Sequence, residues 1–393
     1  VGFVFSKMNT STEFDYVFCA AGLAGLMLAY KIKSDVFFEN ASLLIIDPEE
    51  KIKNDRTWCF WDDKPSIWQD IVAKKWSFAA FNDADETLNI NLKPLDYRMI
   101  EGLDFYQKIL SFLTAQKNVH VLKDTVLSLE EKNDKVFVQT ALTGIIQAEK
   151  VFDSRFDASI IESQANYPYL KQHFKGWFIE TENAVFDTEK ITFMDFSVAQ
   201  NGHTRFMYVL PFTEKKALVE YTLFSEKLLP ENEYDEAIKS YIKKYKTGSY
   251  TIERTEKGNI PMTCFLFDRR NSKNVIRIGS AGGWTKASTG FTFKNTDRIS
   301  TRLVNFLKET NDFRKFKIRN RFWFYDLILL DVLGADNQLG ASIFSAVFSK
   351  NKPQSVFRFL DEQSSVYEDL KIILSCPKKP FIKAFFRRIR NGF

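Results

Sequence analysis

Small residues spaced Ala20-x-Gly22-x-x-Gly25 follow the apolar run Phe14 to Cys19, and a helical pattern of apolar residues starts directly behind them. Strand, tight turn and helix in that order make a phosphate cradle, because small residues let the backbone approach a pyrophosphate lying on the helix N-terminus. Ala20 stands where the usual fingerprint has its first glycine, and alanine fits that turn if its φ is negative. Gly22 serves close approach, and Gly25 serves packing of helix on strand. Further on, Leu43-Leu44-Ile45-Ile46-Asp47 reads as a second strand ending in an acid, placed to accept from a ribose hydroxyl. That acid argues against a 2′-phosphorylated cofactor. A plain buried strand–helix–strand unit is the alternative. A second strand–glycine loop comes late in the chain: Val275 to Gly279 delivers Ser280-Ala281-Gly282-Gly283-Trp284, followed by Ser288-Thr289-Gly290-Phe291. An early ADP-type turn with a late glycine loop is the arrangement of FAD proteins, the late loop passing beneath the ribityl chain and flavin. Ser280 stands where such proteins usually carry Asp, and its hydroxyl can still donate and accept. An ordinary glycine turn is the alternative there.

One carboxyl has unusual surroundings. In Ala217-Leu218-Val219-Glu220-Tyr221-Thr222-Leu223-Phe224 a single acid sits in a strand that is apolar on both faces, the pattern of a doubly buried strand. Desolvation raises the pKa of a carboxyl in such a place and makes it a proton carrier near neutral pH. The alternative is a glutamate at a sheet edge paired to a lysine. Asp195, between Met194 and Phe196, is the second candidate for that role, with a structural carboxyl as the favoured alternative.

The elements that position these groups follow from periodicity. The aromatic stretch Asp55 to Trp61 is too irregular for an amphipathic helix. Apolar spacing at Phe105, Ile109 and Leu113 predicts a helix over about 102–116. Val119 to Leu122, Thr125 to Leu129, a hairpin of Val136 to Thr140 with Ile145 to Ala148, and Lys150 to Arg155 read as strands. From about 168 to 265 the texture changes to short aromatic-rich strands: Phe174 to Thr181, Ile191 to Val198, Thr204 to Pro211 and Ala217 to Phe224. A charged helix from Glu231 to Thr247 packs outside them. A helix over about 293–308 follows the late glycine loop, and the remainder is helical with loops. The expected fold class is α/β: a Rossmann-like FAD-binding domain interleaved with an antiparallel-sheet substrate domain and C-terminal helices. The expected division gives cofactor segments at 8–75, 97–165 and 266–310, substrate segments at 76–96 and 166–265, and a helical region at 311–393.

The chain's 393 residues suffice for two domains, and 45% hydrophobic with 27% charged residues marks a globular protein. A net charge of +5 is too mild for nucleic-acid binding. Phenylalanine, at 39 copies, exceeds what one core needs and points to a large apolar pocket or a membrane-facing surface, or to compositional bias. Cys19, Cys59, Cys264 and Cys376 are scattered and read as reduced thiols, while His120, His173 and His203 lack ligand spacing, so no metal is expected. No uninterrupted apolar run is long enough to span a membrane, and no signal peptide pattern is visible. Val1 to Lys7, ahead of Met8, reads as a start-site remnant. The stretch Lys378 to Arg390 carries six basic residues, no acids, and Phe and Ile at near-helical spacing, which suits an interfacial helix on anionic lipid. A solvated tail is the alternative.

With these motifs in place the chain resembles the lycopene beta-cyclases of the bacterial carotenoid type, a flavoprotein family of the same broad fold group as geranylgeranyl reductases and aromatic hydroxylases. The resemblance is carried by Asp55 to Trp61, Tyr97 to Tyr106, Gln172 to Trp177 with Glu180-Thr181, Met194-Asp195-Phe196, Tyr208 to Pro211, Leu218 to Thr222, Gly258 to Met262 and Gly279 to Thr292. It implies closure of the linear ends of lycopene to beta-ionone rings, giving beta-carotene through gamma-carotene. That reaction protonates a terminal alkene, captures the tertiary cation with the neighbouring double bond and loses a proton, so no electrons change hands overall. It needs an acid in an apolar cavity, electron-rich surfaces and no water. The resemblance assigns the acid role to Glu220 and implies reduced FAD without net turnover, with NAD(P)H as external reductant. The expected cofactor contacts are Ala20, Ala21, Gly22, Ala24, Gly25, Asp47, Arg56, Val126, Gly279, Ser280, Gly282, Gly283, Thr289 and Gly290. Trp58, Phe60, Trp61, Trp177, Asp195, Phe196 and Tyr208 are the expected substrate lining, the aromatic rings stabilising the cation through their π faces. Core packing is the alternative role for each ring. The implied setting is cytoplasmic, peripheral on the inner membrane, with an acyclic carotenoid as partner. A redox enzyme of the same fold (a prenyl reductase or hydroxylase using NAD(P)H) and a non-enzymatic carotenoid carrier are the rival readings.

Overall fold

The computed structural model describes residues 13–83 and 86–391; the start-site stretch Val1 to Lys7 lies outside them. The apolar runs at the start of the chain build the first of three sheets. Strand Glu13–Cys19 lies between Leu43–Asp47 and Ile145–Asp153, parallel to both, and Val119–Lys123 extends the sheet beyond Leu43–Asp47. Leu43–Asp47 is buried at every residue, as a parallel strand covered on both faces must be. Ile145–Asp153 serves two partners along one edge. Its first half pairs antiparallel with Lys135–Thr140, its second half parallel with the late strand Val275–Arg277. The pattern had divided this continuous strand into a hairpin arm and a separate strand. Helices Leu23–Lys33, Gly102–Thr114 and Phe293–Glu309 pack together over the sheet, and Phe105, Ile109 and Leu113 point inward as their spacing predicts.

The second sheet runs in the order Tyr250–Met262, Leu170–Thr181, Lys216–Ser225, Thr204–Pro211, Lys190–Asp195, Phe78–Asn82, Thr87–Asn91. Its neighbours are antiparallel except Lys190–Asp195 with Phe78–Asn82, a parallel pair. Tyr250–Met262 has no apolar signature because it is an edge strand whose alternate residues Glu253, Thr255, Lys257 and Asn259 are exposed. On one face of this sheet Trp177, Ile179, Met207, Val209, Val219, Tyr221 and Leu223 pack beneath helix Glu231–Ile242. That helix stops short of Thr247, because a turn over Lys243–Tyr245 follows and Lys246 takes φ 52°. The opposite face turns inward to a cavity. A small third sheet (Thr57–Asp62, Asp96–Glu101, Val72–Trp76) contains the aromatic stretch that resisted a helical reading. Its Trp58, Phe60 and Trp61 suit a pleated, half-buried surface.

Helices Arg321–Ala335, Leu339–Lys350, Pro353–Leu360, Val366–Ser375 and Lys378–Asn391 close the cavity from the far side. Asn320 starts the first of them by accepting from Phe322 N at 2.8 Å and Trp323 N at 3.2 Å. The second is pinned to the sheet. Thr204 N donates to Asn337 Oδ1 at 2.6 Å and Thr204 Oγ1 donates to Asn337 O at 2.7 Å. Gly340 lies so close that a Cβ there would overlap the Thr204 side chain. Gly340→Val should therefore push the helix from the sheet and lower the unfolding free energy by about 1–3 kcal/mol, the usual cost of overpacking. Urea denaturation measures this, and unchanged stability would mean that the helix is not seated on Thr204.

Candidate active site

The turn after strand Glu13–Cys19 is built for close approach. Ala20 N donates to Ile46 O at 2.9 Å, and Ser154 Oγ donates to Ala20 O at 3.2 Å, which holds Ala20 at φ 77°. This corrects the expectation of a negative φ. The turn takes a left-handed geometry that favours glycine, at a strain of about 1–2 kcal/mol for alanine. Gly25 is needed for packing, since a Cβ there would lie 2.5 Å from Ala20 O. Gly22 is the N-cap of helix Leu23–Lys33, makes no side-chain cap and faces open space. The first-turn N–H groups of that helix are thereby left for a ligand. Ala21 is buried behind the turn, and its N–H donates to Asp47 Oδ2 at 2.6 Å. Asp47 also accepts from Glu49 N at 2.8 Å and pairs with Lys51 at 3.2 Å. Asp47 thus braces the turn from a buried position off the cavity wall, which nearby Glu49 reaches.

The late loop meets this turn from the other side. Gly279, at φ 60°, lies against Ala24, where a Cβ would come within 2.9 Å of the alanine methyl. Ser280, Thr289 and Gly290 line the cavity with Gly22, Ala24 and Arg56. Gly282 and Gly283 do not. They turn toward Arg277 and Phe267 and shape the loop from behind. Val126 is also off the wall, buried in the core of the first sheet with its carbonyl accepting from Arg155 at 2.8 Å.

From the glycine turns a cavity of about 640 Å³ runs across the second sheet to the C-terminal helices. Its sheet wall is Phe174, Phe193, Phe206, Tyr208, Leu210, Leu218, Glu220, Thr222 and Phe224, and its helical wall includes Ile343, Phe344, Val347, Phe348, Phe359, Ile373 and Phe381. Glu220 is the acid among these apolar rings. Helix Glu231–Ile242 lies beneath its strand and the cavity above, and Glu220 itself is half-buried on the cavity wall. Burial pushes its pKa up to about 8, with the nearby Glu256 charge adding to the shift and Thr222 opposing it. Thr222 Oγ1 donates to Glu220 Oε1 at 2.6 Å. That direction favours the proton-bearing form of Glu220 near neutral pH. Tyr208 O–H donates to Tyr97 O at 2.8 Å on the adjoining wall, and burial holds both phenols well above their ordinary range.

Of the expected lining, Trp58 and Tyr208 face the cavity. The rest do not. Trp177 lies on the opposite face of its strand, packed beneath helix Glu231–Ile242 with its indole N–H on Asp235 at 3.2 Å. Phe60 stacks on Phe293, and Trp61 packs against Phe291 and Phe357. Phe196 fills the core between Phe81, Phe206 and Phe344. Asp195 is a structural carboxylate, accepting from Asn82 at 3.0 Å, Tyr241 at 2.7 Å and Ser197 N at 2.9 Å.

This geometry can be set beside known proteins. The family described as lycopene cyclase protein matches residues 15–385. The chain belongs to the lycopene cyclase family. Neoxanthin synthase, a chloroplastic protein of Solanum lycopersicum, is 23% identical over 343 residues, covering 80% of this chain and 65% of that protein. The chain thus spans under two thirds of that relative's length. Among solved structures, a geranylgeranyl bacteriochlorophyll reductase-like protein of Thermoplasma acidophilum has a TM-score of 0.61 at 13% identity, covering 97% of this chain and 99% of its own. A flavoprotein/dehydrogenase from Cytophaga hutchinsonii scores 0.58 at 13% identity, covering 92% and 98%. A variant of halogenase PltM in complex with FAD scores 0.59 at 11% identity, covering 94% and 87%. At these identities the likeness is one of fold.

Several wall residues of this lycopene cyclase-family chain escaped the sequence reading. Thr222 was legible in principle, because a residue two positions from Glu220 shares its face. Glu256 lies in the edge strand that lacked an apolar signature, and the phenylalanines of the C-terminal helices look like ordinary core. Lys286 is 1% exposed at its side chain, with Nζ donating to both carboxylate oxygens of Asp326 at 3.0 Å beside the late loop. Nothing in the spacing of these two residues announces their pairing.

Proposed function

We propose that this chain is an FAD-dependent lycopene beta-cyclase that closes the linear ends of lycopene, or of a related acyclic carotene, by acid catalysis without net redox change. The observation that carries this reading is Glu220, a protonated carboxyl in a phenylalanine-lined cavity that is continuous with a dinucleotide-type turn. Glu220 donates its proton to the terminal alkene. The rings of Phe174, Phe206 and Phe224 and the phenols of Tyr97 and Tyr208 face the charge that develops, and the apolar walls exclude the water that would quench a cation. The donor set fits FAD: an open Gly22, the N–H groups at the helix start, Lys51 and Arg56 on the cavity wall, and the Gly279–Ser280 loop opposite. Bound FAD in its reduced form supplies an electron-rich surface beside the cavity, with NAD(P)H as the external reductant.

Replacing Gly22 by leucine should fill the open space before the helix and abolish flavin binding. Full flavin occupancy in that variant, read by absorbance after purification, would remove this turn from the cofactor site.

Glu220→Gln keeps size and hydrogen bonding but removes the acidic proton, so product formation should fall by roughly 100-fold or more. The protonated form of wild-type Glu220 prevails below its raised pKa. Activity should therefore persist through neutral pH and decline as pH rises through about 8. Incubation with lycopene and mass analysis of the product tests both the residue and the reaction. Cyclisation leaves the mass unchanged, reduction adds hydrogen, hydroxylation adds oxygen, and a carrier returns lycopene. Near-normal turnover in the Gln variant would take Glu220 out of the mechanism.

The setting we infer is the surface of the inner membrane on its cytoplasmic side. No helix among the described residues is long and apolar enough to cross a membrane. Helix Lys378–Asn391 is docked rather than a loose tail: Arg388 pairs with Asp331 at 2.5 Å and 2.7 Å, and Ala384 is buried. Its Ile382, Phe385, Phe386 and Ile389 are exposed, as are Val366, Tyr367, Leu370 and Leu374 of the preceding helix. The inner sides of the same two helices carry Ile373 and Phe381 into the cavity. With Lys378, Lys379 and Lys383 beside the exposed rings, this face suits an anionic lipid surface. Truncation would strip Phe381 from the cavity wall, so substitution is the cleaner test. Phe386→Asp with Ile389→Asp should weaken sedimentation with anionic liposomes, and salt should weaken that of the wild type. Undiminished binding of the double variant would move membrane contact to another face.

A further inference from the structure

Most hydroxyls along the late loop find partners in one another. Ser280 Oγ lies 3.1 Å from Thr285 Oγ1, Thr285 Oγ1 donates to Thr292 Oγ1 at 3.3 Å, and the Thr292 and Thr296 hydroxyls lie 3.4 Å apart. Among the described residues, two polar atoms of the cavity wall are shut off from solvent without a hydrogen-bond partner: Gln172 Oε1 and Thr289 Oγ1. They belong to different elements, Gln172 to strand Leu170–Thr181 of the second sheet and Thr289 to the late loop, yet they come together at Gly290. A Cβ on Gly290 would lie 2.5 Å from Gln172 Oε1 and 3.0 Å from its Cδ, so glycine at this position lets the amide lie over the loop.

Neither group is unpaired through looseness. Lys286 O accepts from Thr289 N at 3.3 Å and from Gly290 N at 2.9 Å, and Lys286 N donates to Phe291 O at 3.0 Å. The Lys286 side chain is itself locked on Asp326. Register fixes the other partner. Gln172 pairs with Phe224 as Gly176 pairs with Glu220, so Gln172, Phe174 and Gly176 stand on the cavity face of one strand. A buried polar group without a partner is unfavourable, and a hydrocarbon has no N–H or O–H to offer it. The ligand these two groups suit has a polar edge and lies against the late loop.

We propose that Gln172 is a cofactor-positioning residue whose amide grips the imide edge of the flavin ring, with the Thr289 hydroxyl beside it. The proposal rests on the reading of this cavity as the FAD site. A flavin ring ends in an N–H flanked by two carbonyls. A primary amide matches that edge in both senses, its carbonyl accepting from the N–H and its NH2 donating to a carbonyl, and a threonine hydroxyl can do either. The contact comes from the substrate sheet rather than from the dinucleotide-binding sheet. One strand therefore carries both the grip on the ring and, about 13 Å further along, the glycine that pairs with Glu220.

The test compares FAD with 3-methyl-FAD, in which a methyl group replaces the hydrogen of the ring N–H. Full-length protein is freed of flavin and reconstituted with each, and binding is read by quenching of flavin fluorescence. Wild-type protein should bind FAD about 10-fold more tightly than the methylated form, the scale of one hydrogen bond. Gln172→Leu should bind FAD about 10-fold more weakly and lose the preference between the two, because the methyl group then displaces no contact. A wild type indifferent to the methyl group, or a Leu variant that still discriminates, would overturn the assignment. The wild-type comparison needs no substitution, so it decides the matter even if the variant does not fold. The midpoint potential of the bound flavin gives a second reading. Donation from the amide stabilises charge on the reduced ring, so the potential should fall in Gln172→Leu, and an unmoved potential would overturn the donating half of the contact. Protein that binds no flavin would overturn the cofactor site and this assignment together. Protein that discriminates between the two flavins yet returns lycopene unchanged would overturn the cyclase reading and leave the contact standing.

Discussion

Desolvation of one carboxyl organises this molecule. A glutamate in water is ionised at neutral pH. Keeping it protonated requires a strand without solvent on either side, and a sheet strand has two faces to cover. Helix Glu231–Ile242 covers one face of Lys216–Ser225, and the apolar cavity covers the other. The cavity lies between the sheet and the C-terminal helices, one of which is seated on the sheet through Thr204, Asn337 and Gly340 and through Phe344 and Phe348. Packing those helices flush would make a better core and leave no room for a substrate. The architecture therefore trades burial for an enclosed, dry volume beside one raised acid.

The same constraint explains what could be read from the sequence. The dinucleotide turn and the late glycine loop are local devices, fixed by the backbone within a few residues, and both were legible in the spacing of small residues. Even there a local rule failed in detail. Ala20 adopts the left-handed conformation because Ile46 and Ser154 hold it, which are contacts that no window around residue 20 contains. Glu220 was legible because apolar neighbours on both parities report burial on both faces. Trp177 was not, because an aromatic residue in a strand does not say which face is the cavity. Register decides it. Gly176 shares the row of Glu220, so its neighbour Trp177 must point the other way, into the helix-covered core.

Acids divide in the same manner. Asp195 and Glu220 both sit among apolar residues in the chain, yet Asp195 gathers donors from Asn82, Tyr241 and Ser197 N, while Glu220 receives one hydroxyl. Three partners fix the Asp195 side chain in place as part of the fold, whereas Glu220, with one, faces the cavity and is the carboxyl that burial pushes up. That count belongs to tertiary structure. Tyr241 lies on helix Glu231–Ile242 and Asn82 on a strand far earlier in the chain, so the sequence around Asp195 could not reveal its hydrogen-bond partners.

The abundance of phenylalanine has a related cause. A core needs apolar residues on one side of each element, but the elements that close this cavity need them on more. Helix Val366–Ser375 turns Ile372 and Ile373 inward and leaves Val366, Tyr367, Leu370 and Leu374 outside, and the following helix divides Phe381 from Phe385 and Phe386 in the same way. In water an outer apolar stripe of this kind is unfavourable, since each side chain left exposed forgoes the transfer free energy that burial would supply. Under the proposed function the outer stripe would meet a lipid surface and the inner stripe an apolar substrate, and a substrate passing from one to the other would stay out of water.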